Sequence, residues 1–167
     1  MNTLLARFVR LVPSLASCWF AIPLRLIVGG GFVQHGYAKL ARGPENFTHI
    51  LDALGVFDPA LLAWATIVVE IAGGLAVIAG LFIPLASVPM IVVLLVAILT
   101  VHLPNGFSSI KLLSVTSAGA QFGQPGYETD LLYICGIVAL VLGGSGPLAL
   151  DQYLLRAWTK TSTAAES

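Results

Sequence analysis

Five side chains in this sequence combine ionisable chemistry with an apolar setting: His35, Lys39, Glu70, His102 and Glu128. An imidazole near a carboxylate can accept and pass protons, and a neighbouring cation decides which protonation state the carboxylate prefers. Arg25 is a further candidate cation in the same stretch as His35 and Lys39. Each charge held inside a bilayer costs about 2.5 to 3.5 kcal/mol on insertion scales, so such residues are functional candidates by default. Counting from the outer helix ends near Ala41 and Ala60, a rise of about 1.5 Å per residue puts His35 roughly 9 Å deep, Glu70 roughly 15 Å and Arg25 roughly 24 Å. This predicts an Arg25–Glu70 ion pair approached by His35 from above, within a polar cluster of His35, Lys39, Glu70, His102 and Glu128 in the outer half of the helices. Asp130 begins the fourth span at the level of Glu128.

Each of these residues also has a structural reading. Arg25 and Glu70 can pair simply to fix helix register, Lys39 can snorkel to the interface, and His35 can be a satisfied core histidine. A metal held by His35, His102 and Glu70 or Glu128 is chemically permissible, but no HExxH or paired-cysteine spacing is present, and no metal is expected. Cys18 and Cys135 differ in depth by far more than a disulfide spans, so they are expected to be small packing residues, Cys135 with Ala139 and Gly143.

The elements that must position these groups follow from composition. Of 167 residues, 57% are hydrophobic and 10% charged, against about 25% charged in an ordinary globular chain. No charge occurs between Glu70 and His102 or between Asp130 and Asp151, and a bilayer core of roughly 30 Å needs about 20 apolar residues per helix. An all-α integral membrane four-helix bundle is therefore expected, with spans at about 15–41, 59–82, 87–103 and 127–142. Residues 1–14 read as an interfacial segment whose basic start is retained rather than cleaved as a signal. PENFTHILDAL (44–54) reads as an amphipathic interfacial helix begun by Pro44 and ended by Gly55, and Asp58-Pro59 as the start of the second span. Ile83 to Ser87 reads as a tight connection. Residues 104–127 read as a longer loop that partly re-enters the membrane, and 147–167 as an amphipathic segment with a polar tail. Eight Lys and Arg balance eight Asp and Glu, which excludes nucleic acid as a main partner. The distribution of basic residues favours cytoplasmic termini in a bacterial-type plasma membrane.

LRLIVGGGFVQHGYAKL (24–40), VVEIAGGLAVIAGL (68–81) and GPLALD (146–151) together resemble the DoxX family of small four-helix membrane proteins, over about residues 20–155. The matching elements are the Arg before the glycines, the HGxxK of His35, Gly36 and Lys39, the ExxGG of Glu70, Gly73 and Gly74, and the late Asp151. The resemblance implies membership of quinone-linked redox systems, including the membrane subunit of a thiosulfate:quinone oxidoreductase, and roles in thiol and oxidative-stress defence or resistance to quinones and catechols.

The function expected is quinone or quinol binding within a membrane oxidoreductase or oxidative-stress system, with Glu70, His35 and Arg25 catalytic and Lys39, His102 and Glu128 contacting the ligand. No flavin or nucleotide fingerprint is present, so electrons are expected from a partner protein or from the quinol itself. Two other classes compete. One is an assembly factor that docks a partner through helix 44–54, and the other is a small proton-coupled transporter that works as a homo-oligomer.

Overall fold

The structure, a computed structural model, describes residues 19–154. The interfacial segment expected at 1–14, the start of the first span, Cys18 and the tail beyond residue 154 lie outside the described residues. The order of elements is α1 (Ala21–Ala41), α2 (Pro44–Ala53), α3 (Pro59–Ala79), α4 (Ile83–Ala97), β1 (Leu112–Thr116), β2 (Gly119–Phe122) and α5 (Glu128–Gly143). A π turn, Ile98–His102, and a 3-10 turn, Leu103–Asn105, extend α4 without a break. Among the described residues two helices are long and apolar enough to cross a membrane, α3 and the continuous stretch Ile83–Asn105.

Local chemistry accounts for the boundaries. Pro44 and Pro59 sit in the first turns of α2 and α3, where their missing N–H groups would have no intrahelical acceptor. The Asp58 carboxylate caps α3 by accepting from the Leu61 N–H at 3.3 Å. The expected connection at Ile83–Ser87 is instead the first turn of α4, and the chain reverses over Gly80–Phe82. Pro84 therefore acts as a helix-start residue rather than a breaker. Residues 104–127 run from the 3-10 turn to α5, with Pro125 and Gly126 against the cavity described below. They carry an antiparallel hairpin, β1 with β2, whose residues are exposed throughout.

α1 packs most extensively against α3, and glycines set that contact. A Cβ on Gly74 would lie 2.6 Å from the Gly29 carbonyl oxygen and 2.9 Å from the Val33 nitrogen, both backbone atoms that cannot rotate away. Val28, Phe32, Val77, Met90, Ile137 and Leu140 fill the core where α1, α3, α4 and α5 meet. Cys135 is exposed, and the small-residue face of α5 is instead Gly136 against Val28 and Gly143 against Phe20.

The glycines of α1 and α3 supply an internal control. Gly74→Ala is expected to lower the unfolding temperature in detergent, since overpacking costs about 1 to 3 kcal/mol. At Gly30 a Cβ meets nothing within 4 Å, so Gly30→Ala should be neutral or stabilising through helix propensity. Equal shifts for the two would sink the close-contact account.

Candidate functional site

Glu70 is buried in α3, with its Cβ packed where Gly36 of α1 lacks one; a Cβ on Gly36 would come within 3.0 Å of it. One helical turn further along α1, Lys39 donates from Nζ to both carboxylate oxygens, at 2.6 and 2.7 Å. The same ammonium lies 5.1 Å from the centroid of the Phe47 ring on α2, so its charge is shared between a carboxylate and an aromatic face. Lys39 is thus an ion-pair partner rather than a snorkelling residue.

Arg25 does not pair with Glu70. It precedes Gly36 by eleven residues, roughly 16 Å along α1, and helical side chains lean toward their own N-terminus. In the antiparallel α1 and α3 this tilts Lys39 and Glu70 toward each other and turns Arg25 away. The buried Arg25 guanidinium donates to the backbone carbonyls of Val77, Ile78, Ser145, Pro147 and Leu148. Beside it, Asp151 accepts the Phe82 N–H at 3.0 and 3.1 Å and donates its own N–H to the Gly80 carbonyl. Gly80, at φ +68, is doubly required, because a Cβ would also meet Ala149 at 2.7 Å and the Arg25 Cζ at 2.9 Å. The Arg and Asp motifs thus staple the α3–α4 turn at the end of the molecule away from Glu70.

A second pair forms between α4 and α5. His102 Nδ1 and Asp130 Oδ2 are 2.5 Å apart, with the Asp130 side chain 11% exposed. His102 ends the π turn, where the extra residue rotates it relative to the α-helix before it. Glu128 stays out of this cluster and accepts the Ser109 N–H at 3.0 Å, tying the loop to the start of α5. The acid that faces inward is Asp130. A signal for it was present, since Asp130, Tyr133, Ile137 and Leu140 recur at the helical spacing of a buried stripe.

Both pairs border one cavity of ≈ 820 Å³. His35, Lys39, Glu70, His102, Asp130 and Tyr133 are its polar wall, whereas Arg25 and Glu128 lie outside it. Phe47, Ile50, Leu51 and Leu54, the apolar face of α2, close another side. Tyr133 meets Phe32 edge-on at 5.8 Å and His35 at 6.4 Å, and its hydroxyl occupies the space a Cβ on Gly31 would take. Among the described residues neither the His35 ring nor the Tyr133 hydroxyl has a hydrogen-bond partner, and no polar side-chain atom is both buried and unpaired. These two groups therefore reach open space with their hydrogen-bonding capacity unspent. No three His, Cys, Asp or Glu side chains among the described residues gather as a metal site.

A small apolar chamber with a few convergent polar groups, built on membrane-crossing helices, defines a membrane protein with a candidate ligand site. The DoxX family model matches residues 20–103, and the chain belongs to that family. It is 29% identical over 133 residues to a Bacillus subtilis protein named "Putative oxidoreductase CatD", covering 80% of this chain and 85% of that one. It is 30% identical over 141 residues to the uncharacterized membrane protein Rv3486 of Mycobacterium tuberculosis, covering 80% of each. An uncharacterized protein of Haemophilus influenzae is 32% identical over 136 residues, covering 80% of this chain and 90% of that one. No solved structure matches the chain.

Proposed function

We propose that this chain is the quinone- or quinol-binding membrane component of an oxidoreductase or oxidative-stress system, crossing a bacterial plasma membrane as a four-helix bundle with both termini cytoplasmic. The observation that carries the reading is the ≈ 820 Å³ cavity, apolar over most of its wall and bordered by His35 and Tyr133, whose polar atoms have no hydrogen-bond partner among the described residues. That volume lies within the range of about 300 to 1,000 Å³ typical of small-molecule sites. The residues present fit a quinone: Phe32 and Tyr133 offer apolar ring surface, while the His35 ring and the Tyr133 hydroxyl can donate to its carbonyl oxygens. When bound, a quinone supplies two-electron, two-proton redox chemistry. Glu70 with Lys39 and His102 with Asp130 hold ionised or proton-exchanging groups at the cavity wall, where protons are taken up or released. Electrons come from a partner protein or from the quinol, since the sequence carries no flavin or nucleotide fingerprint. The name of the Bacillus subtilis relative supports a redox setting. Helix α2 turns its apolar face into the cavity, which speaks against the alternative in which that face docks a partner.

Mass spectrometry of quinones that co-purify with the detergent-extracted protein tests the reading. A His35→Ala, Tyr133→Phe double variant leaves both ion pairs intact and so should fold like wild type. Quinone retained by wild type and lost at least about tenfold in the variant is the expected result. Equal retention in both would refute a quinone site at these groups.

A further inference from the structure

Helices α3 and α4 are joined by the turn at Gly80–Phe82. The Arg25 and Asp151 staple holds this turn, and beyond it Met90 fills the space that Gly73 leaves open, 2.9 Å from the Cβ position. Leu62, Thr66 and Val69 of α3 and Val88, Val92 and Val96 of α4 all line the cavity. Several of these residues are wall and outer surface at once. Val88 is 63% exposed, Val92 54%, Val96 45% and Leu62 39%, so protein does not close the cavity along this seam. None of these six seam residues is ionisable; Glu70 of α3 is turned to Lys39 of α1, and His102 beyond the end of α4 to Asp130 of α5. α3, and α4 with its extension to Asn105, are also the two helices among the described residues long and apolar enough to cross a membrane. The outside of the seam therefore faces acyl chains rather than water.

The geometry points to a lateral entrance between α3 and α4 through which the ligand arrives from the bilayer, its polar head inside against His35 and Tyr133 and an apolar tail lying out along Val88, Val92 and Val96. This rests on the quinone reading and narrows the substrate class to membrane-dissolved, long-tailed quinones rather than small water-soluble quinones or catechols. The tail stays in apolar surroundings throughout, since the valines of the seam are no more polar than the acyl chains it leaves. A water-filled route would need a run of polar groups along the same seam, and among its residues only the Thr66 hydroxyl interrupts valine and leucine side chains.

The test uses the full chain in lipid nanodiscs and two probes, a benzoquinone with a long isoprenoid tail and the tailless dimethoxy-methyl-benzoquinone. Val92→Trp obstructs the seam. Val68→Trp, on an α3 residue that is 58% exposed and outside the cavity wall, controls for a surface tryptophan. Val92→Trp is expected to lower retention of the long-tailed probe about tenfold and leave the tailless one within about twofold, with Val68→Trp changing neither. Parallel losses of both probes, or no loss of either, would overturn the entrance while leaving the quinone site standing. If wild type retains neither probe, the quinone reading itself fails. The opening has its own readout: a bimane label on Val92→Cys, in a background of Cys18→Ser and Cys135→Ser, should be quenched by phospholipids brominated on their acyl chains. Absence of quenching would overturn the entrance whatever the ligand.

Discussion

Removing either partner of the Lys39–Glu70 pair is expected to cost more stability than removing both. Glu70 is 5% exposed and its two oxygens are occupied by one ammonium. Lys39→Met leaves that carboxylate buried without a cation, and Glu70→Gln leaves the ammonium against an amide and the Phe47 ring. Breaking one side of a buried pair costs about 3 to 5 kcal/mol, because the remaining charge keeps its desolvation penalty and loses its compensation. The double variant Lys39→Met, Glu70→Gln removes both charges, and its loss should fall below that of either single. Thermal unfolding of the four proteins in one detergent provides the cycle. Simple addition of the two single losses would mean that the groups do not interact. Arg25 and Glu70 make the contrasting cycle, because they share no partner and should behave additively.

The sequence made the ionisable residues of the site conspicuous but not their pairing. A charge in an apolar run is visible as such, and His35, Lys39, Glu70 and His102 do border one cavity. Pairing depends on helix register and on the tilt of each side chain. Depth counted along single helices brought Arg25 within notional reach of Glu70, but the tilt of side chains toward each helix N-terminus sends Arg25 the other way. The glycines of the ExxGG and HGxxK elements were legible as permission for close approach. Their targets were not: Gly36 makes room for Glu70, Gly73 for Met90 and Gly74 for Gly29. Asp130 carried a spacing signal with Tyr133 and Ile137 but competed with Glu128 two positions earlier in the same first turn, and His102 reaches it through a π turn that no residue pattern announces. The hairpin at 112–122 was lost in a polar-looking connection because its Leu, Val and Phe residues are exposed, and strand signals are strongest where one face is buried.

Arg25→Lys is expected to be almost as damaging as Arg25→Ala. Among the described residues no carboxylate lies within ion-pair distance of Arg25. Its positive charge is balanced by carbonyl dipoles, including those of Val77 and Ile78 at the C-terminal end of α3, where the helix leaves acceptors without intrahelical donors. The planar guanidinium presents its donors in a fixed fork, and here the fork spans two segments that no other side-chain hydrogen bond among the described residues joins, the end of α3 and the loop from Ser145 to Leu148. A lysine ammonium keeps the charge but is a single point with three donors, so it can satisfy one segment or the other. Orphaned carbonyls cost about 1 to 3 kcal/mol each, which puts the loss for Arg25→Ala at about 3 kcal/mol or more. The site also holds strained backbone: Phe82 at φ 46 and Leu148 at φ 58 are left-handed without being glycine, a cost of about 1 to 3 kcal/mol each that the surrounding bonds must hold. Asp151→Asn retains an oxygen for the Phe82 N–H and should lose only about 1 kcal/mol. Unfolding temperatures for the three variants decide the point. Wild-type stability in Arg25→Lys would mean that charge alone is needed, whereas a loss close to that of Arg25→Ala assigns the role to the fork. Because the staple sits at the turn between α3 and α4, its loss should also weaken ligand retention in the cavity without touching a single residue of the wall.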